Sequence, residues 1–137
     1  MKTNIQKFAL AYTALFLSVV ALNYVPSIHD AQGLMFGLFK LDPIDDYLHL
    51  GSAIWAFVAG LASAGAALFY FRWSGLAYFL DGVLGVIAGK AYLDLAIFGN
   101  GPAIADFMTR IEANIPHIVI GGVAMLLART YALKRRR

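Results

Sequence analysis

Two short stretches of this chain place a histidine three positions after an acid or an amide. One is Asp46-Tyr47-Leu48-His49; the other, in the second half of the chain, is Asn114-Ile115-Pro116-His117. A neutral imidazole takes up a proton near physiological pH and ligates transition metals, haem iron or a pigment magnesium. Two imidazoles leave a small-metal site short of donors, so Asp45, Asp46, Asn114 or water would have to complete it. The alternative is that each histidine bonds a neighbouring loop at a helix end. Asp46 and Asn114 suit that alternative, because an N-cap oxygen accepts a free N–H of the first turn. Pro116 suits a first turn as well, where its missing N–H has no partner to lose. The spacing therefore predicts helices opening at Asp46 and Asn114, with His49 and His117 at the third helical position.

Three further ionisable residues lie in apolar sequence, where they are costly and often functional. Lys90 and Asp94 are four apart, which puts them on one helical face within pairing reach. Their structural alternative is a lysine that snorkels to the interface near Asp94. Asp81 has no basic neighbour in its own segment. It could bond Tyr12 or Tyr78, pair with Arg72 or Arg129, or exist as the neutral acid that burial favours. Asp81 at one end of a bundle and the histidines at the other would sketch a proton or ion path. Nucleophilic catalysis has little support: Ser18, Ser52, Ser63 and Ser74 stand in no elbow motif. No catalytic residue is assigned, and the chain is expected not to be an enzyme. It has no cysteine, which excludes disulfides, thiolate metal sites and iron–sulfur clusters.

The elements that must position these residues follow from composition. The 137 residues are 61% hydrophobic and only 14% charged, well outside the balance of a soluble domain. Four apolar runs, 8–25, 47–71, 75–98 and 115–133, have the length that a membrane crossing requires. Backbone groups in lipid must bond within their own segment, so the runs are read as helices. The expectation is an all-α, single-domain, four-transmembrane-helix bundle built from two tandem helical hairpins. A tight turn at Arg72-Trp73-Ser74 would join the second and third helices.

Charge sets the orientation. Lys2, Lys7, Arg72, Arg129, Lys134, Arg135, Arg136 and Arg137 fall at one face of this arrangement, and only Lys40 and Arg110 at the other. The richer face is cytoplasmic by the positive-inside rule, with both termini there and the longer loops outside. The first run is read as an uncleaved signal anchor, since no Ala-x-Ala site follows it. Within the second outer loop, Ile104, Phe107, Met108 and Ile111 recur at helical spacing, which predicts a short interfacial helix over 102–113.

The halves resemble each other. Leu10-Ala11-Tyr12 recurs as Leu76-Ala77-Tyr78, at nearly the same offset along the chain as the two histidine motifs. Both halves run the same way through the membrane, which implies a pseudo-two-fold axis along its normal. Stepping along the helix from His49 meets Ala53, Ala56, Gly60 and Ala64; from His117 it meets Gly121, Ala124 and Ala128. Small-residue stripes mark close contact between membrane helices, so both histidines should face the interior. Gly82, Gly85 and Gly89 give the third helix a similar face.

Two motifs, Asp42-Pro43-x-Asp45-Asp46-x-Leu48-His49-Leu50 and Asn114-x-x-His117-x-x-x-Gly121, resemble an uncharacterised family of small bacterial four-helix integral membrane proteins, carried as a domain of unknown function. The resemblance implies four helices and a bacterial cytoplasmic membrane, and it implies no activity. The leading functional expectation is a non-catalytic accessory or scaffold subunit of a larger membrane assembly or homo-oligomer. Two alternatives stand beside it: a metal, haem or pigment binder at His49 and His117, and a proton-coupled carrier. Apart from lipid and other membrane subunits, no partner class is indicated. No basic, aromatic-interleaved patch points to nucleic acid.

Overall fold

The computed structural model describes residues 2–37, 43–93, 95–99, 101–104 and 106–135. Lys40, Asp42, Asp94, Arg136 and Arg137, singled out above, lie outside the described residues. Among those described, the chain forms four long helices and no strand beyond an isolated bridge between His29 and Met35. The helices are α1 (Asn4–Asn23), α2 (Pro43–Ala62), α3 (Ala64–Ala88) and α4 (Phe107–Arg135). Each boundary has a local cause. At the start of α1, the Gln6 side-chain oxygen accepts from the Thr3 backbone N–H at 3.2 Å and from its hydroxyl at 3.1 Å. That contact starts the helix ahead of its apolar run.

The corner between α2 and α3 falls at Ser63, not at Arg72-Trp73-Ser74. Ser63 is extended, and its hydroxyl accepts from the Ala66 N–H at 3.0 Å, so it caps α3. Arg72, Trp73 and Ser74 lie inside α3, where the Ser74 hydroxyl bonds back to the Tyr70 carbonyl at 2.7 Å. A charge and a serine do not end a helix whose backbone groups are all bonded. Trp55 meets Tyr70 across the Ser63 corner with ring centroids 5.2 Å apart, folding α2 against α3.

Gly89 ends α3 in the left-handed conformation, φ +71°, with its N–H on the Gly85 carbonyl at 2.9 Å. That cap suits glycine and strains any other residue. The guanidinium of Arg110 donates to the Ile87 carbonyl at 2.9 Å and to the Ile104 carbonyl at 2.5 Å, tying the loop to the end of α3. Asp106 caps α4: its carboxylate accepts from the Thr109 N–H and hydroxyl, each at 2.8 Å. The interfacial stretch 102–113 is therefore no separate helix, because its second half forms the first turns of α4. Asn114 and Pro116 sit well inside α4, and Asp46 sits inside α2. At α4 the cap, Asp106, stands earlier in the chain than Asn114.

Packing is strongest within the hairpins α1–α2 and α3–α4, while α1 and α4 barely touch. Along α3–α4 the backbones approach until side chains are excluded. A Cβ on Gly121 would run into the Phe79 backbone and the Gly75 carbonyl, and one on Gly82 into Ile118.

The burial pattern leaves many large aliphatic side chains on the outside and several polar ones within. Among the described residues the buried side chains include Gln6, Asp46, His49, Ser52, Ser74, Asp81 and Asn114, and no leucine or valine. The buried hydrophobics are mostly alanines and large aromatics, while Leu15, Ile54, Val58, Leu80, Val119 and Leu126 point outward. Two helices, α1 and α4, are long and apolar enough to cross a membrane. The other two interrupt their apolar sequence with polar groups: Asp45, Asp46 and His49 in α2, and Arg72, Ser74 and Asp81 in α3.

Candidate functional site

The small faces that draw the helices together also bring the two histidines together. His49 is buried on α2 above Ala53 and Ala56, and His117 sits on α4 above Gly121 and Ala124. Their ring centroids lie 6.1 Å apart with planes inclined at 60°. The sequence left open whether the two rings meet; the fold brings them together. Aromatic rings wall the pair: Tyr78 stands edge-on to His117 at 5.1 Å, and Phe16 lies 5.8 Å from His49 and 5.3 Å from Tyr78.

Asp81 belongs to this same layer, which the expected path between opposite ends of the bundle did not allow. With α3 starting at Ala64, Asp81 lies in the last third of the helix, far enough along it to reach this part of α4. Its carboxyl is fully buried. Oδ2 lies 2.6 Å from His117 Nδ1, and Oδ1 accepts the backbone N–H groups of Tyr92 at 2.7 Å and Leu93 at 2.8 Å. None of Tyr12, Tyr78, Arg72 or Arg129 is its partner among these bonds. The two N–H donors exist because Gly89 ends the helix and turns the chain back over it.

The histidines differ in their support. His117 has the carboxylate, while His49 Nδ1 is buried without a partner in hydrogen-bond geometry; the Asp45 carbonyl one turn earlier acts on that ring at a distance. Leu15, which the Leu-Ala-Tyr match aligns with Asp81, points outward. The layer is thus asymmetric, with two imidazoles and one carboxylate.

Two contacts missed at the level of sequence complete the layer. Ser52 Oγ and the Tyr78 hydroxyl are 2.7 Å apart, and the Tyr12 hydroxyl donates to the Ile120 carbonyl at 2.8 Å. Ser52 and Ile120 stand at the same interval along the chain as His49 and His117, each three positions after its histidine. Each hairpin's tyrosine therefore reaches the same register on the other hairpin. The signal was in the Leu-Ala-Tyr repeat, which had been read as topology alone.

Comparison of the chain with family models, curated proteins and solved structures finds no match.

The remaining candidates lie apart from the histidines. Asp46 is buried, and its carboxylate accepts from Asn23 at 3.1 Å and from the Tyr24 hydroxyl at 2.7 Å, locking the end of α1 to α2. Asn114 donates to the Arg110 carbonyl at 2.8 Å and fills the space over Gly85. Lys90 lies beyond the end of α3 and donates to the Gly99 carbonyl at 2.9 Å. It is therefore not on α3, and Asp94 lies outside the described residues.

A metal held by His49 and His117 would need a third donor. Among the described residues no group of three His, Asp or Glu is arranged to hold one. The Asp81 carboxylate on Nδ1 fixes the orientation of the His117 ring.

Proposed function

We propose that this chain is a small, four-crossing integral membrane protein, a non-catalytic subunit whose buried Asp81–His117–His49 layer takes up and releases a single proton. The observation that carries the reading is the fully buried carboxylate 2.6 Å from His117 Nδ1. A buried carboxylate must be paired or neutralised. His117 is the pairing group, so the charge state of the layer is tied to one imidazole proton. His49, one ring away, discourages a second positive charge, because neighbouring titrations of like sign are coupled.

The membrane reading is supported by the burial pattern, with leucine and valine outside and Asp81, Asn114, Gln6 and His49 among the buried residues. A bilayer favours that distribution and water opposes it. Arg72 and Arg129 both lie about one turn beyond the Gly75–Ala124 contact, on the side of the termini. With Lys2, Lys7 and Lys134 they mark the cytoplasmic side. The resemblance of the two histidine motifs to the bacterial four-helix family fits this placement in a bacterial cytoplasmic membrane.

The role of a subunit for a larger assembly has its own support. Trp55, Phe69 and Trp73 form an exposed aromatic row on α2 and α3, with centroids 6.3 and 6.1 Å apart along it. Such a row offers a rigid face to a neighbouring membrane helix.

Proton counting tests the central reading. Purified protein in lipid nanodiscs is titrated from about pH 8 to about pH 5 and compared with the triple variant His49→Ala/Asp81→Asn/His117→Ala, which leaves no unpaired carboxylate to protonate. Wild type should take up about one proton more than the triple variant. A difference of about two would mean independent histidines, and no difference would mean an inert layer.

A further inference from the structure

We propose that the cleft between the start of α1 and the end of α4 binds an anionic phospholipid. The proposal rests on the membrane reading above. The cleft exists because α1 and α4 scarcely pack on each other, and its volume is about 190 Å³. Ile5, Phe8 and Leu127 give it an apolar wall, and Asn4, Tyr131 and Lys134 a polar rim. Thr130 also lines it, but its hydroxyl is committed to the Leu126 and Leu127 carbonyls at 2.9 and 3.1 Å, so it adds no donor. An apolar wall ending at an ammonium, an amide and a phenol matches one acyl chain leading to a phosphate.

Charge selects the lipid class. All eight acidic residues of the chain fall between Asp30 and Asp46 or between Asp81 and Glu112. The two segments that frame the cleft, the first half of α1 and the last turns of α4, contain none. They contain Lys7, Arg129, Lys134 and Arg135. A phosphate at Lys134 meets no competing carboxylate from these segments, and a headgroup ammonium meets only like charge. Basic pockets between membrane helices on the cytoplasmic side hold anionic headgroups for this reason.

The test uses the full chain in nanodiscs of equal phosphatidylglycerol and phosphatidylcholine, with co-released lipids identified by native mass spectrometry. Wild type should retain phosphatidylglycerol in preference, and Lys134→Gln, an exposed position, should lower that preference roughly fivefold. Millimolar glycerol phosphate should not displace the lipid. Equal retention of both lipids, an unchanged preference in Lys134→Gln, or displacement by glycerol phosphate overturns the proposal. Alkaline carbonate washing of native membranes separates the two levels. Protein that stays in the membrane without lipid preference contradicts the cleft alone. Protein that washes off contradicts the membrane reading and the cleft with it.

Discussion

His117 and Asp81, on neighbouring helices, meet through Nδ1 and Oδ2 at 2.6 Å, with the carboxyl fully buried. The pair joins α3 to α4 and holds the loop after Gly89 through the Tyr92 and Leu93 N–H groups. Asp81→Ala should therefore destabilise the protein, by on the order of 3 kcal/mol, because it strands an imidazole and two amide donors. Asp81→Asn should cost much less, since its amide can still serve all three. Thermal unfolding in mild detergent compares them. Equal losses would show that the carboxyl is not bonded as described.

The α3–α4 seam depends on missing side chains. Gly121→Ala places its methyl against the Phe79 backbone and the Gly75 carbonyl, which cannot move without parting the helices. A loss of about 1–3 kcal/mol is expected. Gly122→Ala meets only the Phe79 ring edge at 3.9 Å and should be close to neutral. Unfolding midpoints of the two variants should separate clearly.

The crossed tyrosines make a matched pair. Tyr12→Phe removes the bond to the Ile120 carbonyl, and Tyr78→Phe the one to Ser52. Each should cost about 1 kcal/mol. Tyr78→Phe alone should also loosen the wall beside His117, visible as a change in that ring's chemical shifts.

At the start of α4 the Thr109 N–H and hydroxyl hold the Asp106 carboxyl below its ordinary value of 3.8. A depressed acid contributes stability that is fully present above the unfolded value and lost as pH falls through the folded one. Amide exchange at Thr109 should thus be protected at neutral pH and accelerate below that value. Asp106→Ala should exchange fast throughout.

Much of this was legible in the chain. The stripes Ala53–Ala56–Gly60 and Gly121–Ala124–Ala128 pointed to close helix contacts and to inward-facing histidines, but not to whether His49 and His117 meet. Asp81 is misplaced when Arg72 marks a helix end. Moving the corner to Ser63 slides Asp81 into the histidine layer. The cap was visible as a serine three positions before Ala66, but an isolated serine carries less weight in sequence than an arginine beside a tryptophan. Asp46 and Asn114 misled in the opposite way: good capping residues, they are used inside helices as buried bonding groups. The bonds from Tyr92 and Leu93 to Asp81 depend on a loop path that periodicity does not encode.

The most direct test of the central claim is ¹⁵N spectroscopy of histidine-labelled protein in lipid nanodiscs, with Asp81→Asn beside wild type. The account predicts that His117 carries its proton on Nδ1 from about pH 5 to about pH 8, and that only one added proton is shared by the two buried rings. In Asp81→Asn the side-chain oxygen keeps the Tyr92 and Leu93 N–H groups. The amide nitrogen then donates to His117, whose proton moves to Nε2. A His117 tautomer that is the same in both proteins, or His49 and His117 both fully charged at the lower pH, would contradict it.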